Sequence, residues 1–123
     1  MLQLLLDEHI PPDVVDGVRR IQSTASVIAL RHWRQGSYLG RGDAEILAAA
    51  YASQLTLVTY DVRTIPPLLR TWAESGINHG GVIYIDRRTI SQSDVGRIAI
   101  ALSAVIARDS GSDWTNQTRF LEK

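Results

Sequence analysis

Short apolar runs alternate along this chain with longer stretches whose apolar residues recur every three or four positions, and the two rhythms predict different elements. Met1 to Leu6 is a short apolar run that stops on Asp7-Glu8, which reads as a strand. Pro11-Pro12 then opens a helix running to about Gln22, with Val14, Val15, Val18 and Ile21 on one face. Residues 25 to 30, Ala-Ser-Val-Ile-Ala-Leu, predict a second strand. A polar, aromatic and glycine-rich passage from Arg31 to Gly42 leads into an alanine-rich helix from about Asp43 to Ser53. Leu55-Thr56-Leu57-Val58-Thr59-Tyr60-Asp61 is a β-prone run that ends on a carboxylate. Thr64 is placed to cap a helix from about Pro66 to Gly76 that carries Leu68, Leu69 and Trp72. Gly81 to Ile85 predicts a fourth strand, again stopping on an acid, Asp86. Ser91 with Asp94 reads as a capping box for the longest helix, about 92 to 108, whose stripe is Val95, Ile98, Leu102, Val105 and Ile106. Residues 114 to 121 read as a last short strand.

Strands alternating with helices imply βαβ units and a parallel sheet covered on both faces. The expected fold is therefore α/β, a three-layer α/β/α domain with a mainly parallel sheet of four to five strands, and residues 1–123 form one domain. Composition agrees: 123 residues, 45% hydrophobic, suffice for a single core. The opening apolar run is too short for a signal peptide or a membrane span, and a chain without Cys suits a reducing compartment, so a cytoplasmic location is expected. Formal net charge is zero, yet every basic residue except Lys123 is Arg. Arg favours bidentate contacts to phosphate or carboxylate, although genome composition produces the same bias.

Because ligands in open parallel sheets sit beyond the carboxyl ends of the strands, acids that close strands are the first candidates for a site. Asp7 lies too early to cap the helix that begins at Pro11 or Pro12, and Glu8 beside it points another way. Asp43 opens a helix, where capping and a functional role coincide; Glu45, half a turn on, leaves that face. Asp61 is left without a local structural task if Thr64 caps the following helix, and Thr59, two residues earlier, shares its side of the strand. Asp86 has Arg87 and Arg88 beside it as surface partners. Like charges gathered without a cation raise one another's pKa, so Asp7, Asp43 and Asp61 brought together imply a hard, oxygen-loving metal, magnesium or manganese. Glu8 and Asp86 are reserve ligands. Zinc has little support, since His9, His32 and His79 show no close ligand spacing. Ions held by Asp side chains activate water and stabilise in-line displacement at phosphorus, which is nuclease chemistry.

Three stretches then carry a family resemblance. Leu6-Asp7-Glu8-His9-Ile10-Pro11, Asp43-Ala44-Glu45-Ile46-Leu47 and Val58-Thr59-Tyr60-Asp61 look like the motifs of compact PIN-like domains related to VapC-type toxins, in order and spacing along the whole chain. The resemblance implies a magnesium- or manganese-dependent ribonuclease, often the toxin half of a toxin-antitoxin pair, with a cognate antitoxin as partner. It maps Asp7, Asp43 and Asp61 onto the family's acids. Two departures stand out: Arg63 occupies the later acid of the Thr-x-Asp-x-Asp pattern seen in many relatives, and the glutamate that full-length PIN domains carry between the first and third acids is missing. Two other classes stay open. A catalytically inactive PIN-like module would bind nucleic acid or antitoxin without cleaving. A phosphoacceptor receiver domain also carries acids after strands 1 and 3, but it requires a Lys after its fifth strand and a Ser or Thr closing its fourth, and here the sole Lys is Lys123.

For RNA contact, Arg31 to Arg41 offers Arg31, Trp33, Arg34 and Arg41 with no acid among them, leaving the second strand at the edge where the acids end, and Arg63 follows Asp61. Cations for phosphates and aromatic faces for bases are the usual means of holding single strands. The competing reading has Trp33 tucked into the core or into the interface of a homo-oligomer.

Overall fold

A computed structural model describes residues 1–123. Five strands, β1 (Gln3–Leu6), β2 (Ser26–Ala29), β3 (Thr56–Thr59), β4 (Val82–Tyr84) and β5 (Thr118–Phe120), form one sheet in the order β2-β1-β3-β4-β5. Every neighbouring pair is parallel. Four helices alternate with them: α1 (Asp13–Ile21), α2 (Asp43–Ala52), α3 (Ile65–Glu74) and α4 (Val95–Asp109). The fold is thus a three-layer α/β/α domain.

Alternation along the strands sorts the side chains into two cores. Leu4 and Leu6 of β1, Val58 of β3 and Ile83 of β4 face Val14 and Val18 of α1 and Ile98, Leu102, Val105 and Ile106 of α4. Leu5, Leu57, Val82 and Tyr84 face Ile46, Leu47 and Ala50 of α2 and Ile65, Leu69 and Trp72 of α3. Contact between α1 and α4 is close enough that a Cβ added at Gly17 would meet the Cβ of Ala99 at 2.8 Å. Burial on both faces explains the unbroken apolar runs of β1 and β4.

The last crossover departs from the other three. Stepping from β3 to β4 and from β4 to β5 moves the same way across the sheet, yet α3 lies on one face and α4 on the other, so these two connections have opposite hands. Parallel crossovers are nearly always right-handed. Placing α4 against α1 buries the apolar floor under β1, β3 and β4, and it leaves the α3 side of β5 without a second helix.

Several local expectations change. The longest helix begins at Val95 rather than near 92, because Ser91 and Asp94 close a turn (Asp94 N–H to Ser91 carbonyl, 3.0 Å) and Asp94 alone caps the helix by accepting from the Arg97 N–H at 3.1 Å. Ile21, read as part of the buried stripe of the first helix, is 52% exposed at its last position. The predicted strand 114 to 121 shrinks to Thr118–Phe120, with Trp114 buried before it. In the loop before β4, His79 is buried, its Nδ1 accepting from the Gly81 N–H at 3.0 Å. No helix is long and apolar enough to cross a membrane.

Candidate active site

All five strands end at one edge, and the strand order reverses direction between β1 and β3, since the chain leaves β1 for α1 on one face and β3 for α3 on the other. Such a switch point opens a crevice beyond the strand ends. Asp7 follows β1 and Asp61 lies two residues beyond β3 at that point, while Asp43 is the first residue of α2, whose amino end reaches the same edge. Period-two alternation puts Asp7 on the side of Leu5, and Thr59 and Asp61 on the side of Leu57, so all face the α2/α3 layer.

Two threonine hydroxyls tie the three acids into one chain. Thr59, fully buried at the end of β3, donates to Asp7 Oδ2 at 2.6 Å and accepts from the Asp61 N–H at 3.0 Å. The Thr64 hydroxyl lies against Asp61 Oδ2 and, at 3.2 Å, against Asp43 Oδ2. A hydroxyl has one hydrogen to give, and ionised carboxylates have none, so Thr64 satisfies only one of the two acids. The other contact sets oxygen against oxygen until a proton or a cation intervenes. This is the observation of most chemical consequence in the molecule.

Electrostatics at Asp43 and Asp61 differ. Burial at the amino end of α2 pushes the Asp43 carboxyl above its ordinary value, the charges of Asp61 and Asp7 push the same way, and the Thr64 hydroxyl and His9 only partly oppose them. Burial also pushes Asp61 up, but hydrogen bonds from the Thr64 hydroxyl and from the Thr64 and Arg63 N–H groups, with His9 nearby, bring the net shift below the usual carboxylate range. Asp61 therefore has the structural task that was expected of Thr64: its Oδ1 accepts from the Arg63 and Thr64 N–H groups at 3.0 and 2.9 Å at the start of α3, whereas the Thr64 side chain caps no backbone group. Asp43 does not act as a cap either, since Gly42 holds that position.

The donor set consists of hard carboxylate oxygens, which suits magnesium or manganese, and the unshared Thr64 contact is what a cation between Asp43 and Asp61 would relieve. No group of three or more His, Asp or Glu side chains stands close enough to hold a metal ion as the side chains lie. Asp7, Asp43 and Asp61 share one crevice without forming a closed ligand shell.

The reserve residues separate. Glu8 is exposed beside Asp7, whose Oδ1 accepts from the Glu8 N–H at 2.6 Å. Asp86 is engaged by the Arg88 backbone and guanidinium, with a 2.9 Å ion pair, and Glu45 pairs with Arg41 at 3.1 Å. Trp33 corrects the expectation of a base-stacking ring: it is only 8% exposed, packed in the α2/α3 core and stacked on Tyr38 with ring centroids 5.0 Å apart. Arg34 covers that ring at 5.1 Å and donates to Ser53, and Arg41 lies 4.9 Å over Tyr38, so both serve the loop that carries them. Arg34 and Gln35 adopt left-handed backbone (φ 49° and 59°), which folds this loop back on its own aromatics. Arg31 and Arg63 remain exposed. Thr64, read as the cap of α3, is instead the hydroxyl between Asp43 and Asp61, and its signal was the three-residue spacing from Asp61. No protein-family model, curated protein or solved structure significantly matches the chain.

Proposed function

We propose that this protein is a magnesium- or manganese-dependent ribonuclease of the PIN-like kind. The observation that carries the proposal is the Thr64 hydroxyl held between Asp43 and Asp61, with Asp7 tied to the same network through Thr59. Carboxylates so placed repel one another, at the switch point where α/β domains bind ligands. A bound divalent ion supplies an activated water and charge stabilisation at phosphorus. The chain's own contribution is positional: Thr59 fixes Asp7, backbone N–H groups fix Asp61, and α2 brings Asp43 to meet them. Exposed Arg31 and Arg63 suit the phosphates of a single strand. The resemblance alone supports the role of toxin with a cognate antitoxin, and nothing in the crevice depends on it.

A second reading, a PIN-like module that binds without cleaving, is favoured by Arg63 at the position of an acid and by the engagement of Asp86 and Glu45 with arginines. The strand order is also the doubly wound order of receiver domains. Against that class, the Asp61 carboxylate is bonded on both oxygens and the only Lys is Lys123. One experiment separates the three: incubation of single-stranded RNA with wild type and Asp61→Asn, with and without magnesium or manganese. Metal-dependent cleavage lost in the variant supports the nuclease; RNA binding without cleavage supports the module; neither, with covalent phosphorylation by a small phosphodonor, supports the receiver.

A further inference from the structure

Because α4 packs on the α1 face, the strip of sheet between α3 and the outer edge at β5 is uncovered, and a groove of about 510 Å³ runs along it. Its size is that of a small-ligand site. At one end stand Pro66, in the first turn of α3 and two residues from Thr64, and Tyr84, which pairs in register with Thr59. The groove therefore begins beside the acids. Phe120, 55% exposed, forms its outer wall, its ring tilted against Tyr84 with centroids 5.3 Å apart.

The polar groups of the lining have one character. No carboxylate lines the groove, and its one fully charged side chain is Arg70, which makes no ion pair. His79 takes the Gly81 N–H on Nδ1, which leaves the proton on Nε2, and burial lowers its pKa and keeps it a neutral donor. Asn78 uses its Oδ1 to accept from Asn116 at 2.9 Å, leaving its amide NH₂ unpaired. The hydroxyl of Tyr84 also has no protein partner. Ser103 Oγ is the only fully buried side-chain polar atom without a hydrogen bond, so these donors reach solvent in the groove. An exposed aromatic face with unpaired donors and no anion is complementary to a nucleotide: the ring stacks a base and the donors take phosphate oxygens or base acceptors.

We infer that the groove between α3 and β5 holds one or two nucleotides of single-stranded RNA flanking the scissile bond, with a base on Phe120 and a phosphate on Arg70. This rests on the ribonuclease reading for the identity of the strand. Fluorescence polarisation of a labelled single-stranded RNA of about 12 nucleotides, in an Asp61→Asn background that blocks cleavage, tests it. Phe120→Ala should weaken binding about 5- to 150-fold with the salt dependence unchanged, and Phe120→Trp should restore it. Arg70→Ala should weaken binding and reduce the slope of log affinity against log salt by about one. Thermal melts of each variant show whether it is folded; Phe120→Trp keeps the test open if Phe120→Ala is not.

Unchanged RNA affinity in folded Phe120→Ala and Arg70→Ala overturns the inference; if wild type still cleaves with magnesium, the ribonuclease reading survives that failure. Groove-dependent binding without any cleavage by wild type supports the groove and sinks the nuclease. Absence of RNA binding overturns both. A dimer in sedimentation that Phe120→Ala dissociates, with RNA affinity unaffected, assigns the groove to a second copy of this chain and overturns the inference.

Discussion

Replacing Asp43 with asparagine keeps the shape of the side chain and the acceptor for Thr64 while removing one of the charges in the crevice. The Asp43 and Asp61 oxygens share one hydroxyl, so they lie no more than about two hydrogen-bond lengths, roughly 6 Å, apart. Two unit charges at that distance repel by about 0.7 kcal/mol in water and about 2.8 kcal/mol at an effective dielectric constant near 20, and for half-exposed groups we take about 1 kcal/mol. Without metal, Asp43→Asn should therefore be more stable than wild type, by about 4 °C in Tm for a chain of this size.

The sign with pH follows from the raised Asp43 pKa: its ionised form is penalised in the folded state, fully so above the folded pKa. The gap to wild type should close as pH falls through that value and vanish below 3.8, where the carboxyl is protonated folded and unfolded alike. Asp61 has the opposite sign, since its lowered pKa contributes stability present above 3.8 and lost as pH falls through the folded value. Magnesium should invert the ranking. At about a hundred times its Kd it adds about 2.7 kcal/mol to wild type, roughly 10 °C, and far less to Asp43→Asn. Thermal melts with and without magnesium or manganese, across acid and neutral pH, measure all of this. Equal metal-induced shifts in wild type and variant, or a metal-free variant less stable than wild type at neutral pH, would refute the reasoning.

Thr59→Val removes the donor to Asp7 and the acceptor for the Asp61 N–H inside a fully buried site, so it should cost about 1–3 kcal/mol in chemical denaturation and weaken metal binding by calorimetry. Gly17→Ala gains about 1 kcal/mol of helix propensity but forces a Cβ to within 2.8 Å of Ala99. Overpacking of that kind costs about 1–3 kcal/mol, so the net change should be destabilising, and adding Ala99→Gly should relieve it. Trp33→Ala should cost about 3–5 kcal/mol in urea denaturation; a loss below about 0.5 kcal/mol would show that the ring is a surface element after all.

Much of the fold was legible because its signals are local. The first four strands are short apolar runs closed by a polar residue, and the ends of β1 and β3 already placed Asp7 and Asp61 at one edge, with Thr59 on the side of Asp61. The errors fall where several side chains compete for the same backbone groups. Thr64 had the right position to cap α3, yet its hydroxyl turns to two carboxylates while Asp61 takes the backbone N–H groups. Ser91 had the spacing of a capping box, but a turn consumes it before the helix starts. Trp33 sat among arginines in a polar stretch, and only the left-handed residues after it, which no periodicity announces, fold it inward. The groove was invisible because it arises from the face that α4 chooses, and the stripe of a helix says how much it buries without saying on which side of the sheet.

That choice of face also sets when the crevice can exist. Every proposed acid is contributed by residues 7 to 61, but the strands that hold them stand on a floor completed by α4, more than thirty residues later. A ribosome that has released the chain through α3 has delivered the three proposed acids, the hydroxyls that hold them and the α2/α3 layer, but on the opposite face Leu4, Leu6 and Val58 have only α1 over them, and Val14 and Val18 still lack Ile98 and Leu102. Truncations before Val95 should thus be inert with every acid intact. The proposed acids stand on a complete floor only once α4 has been made.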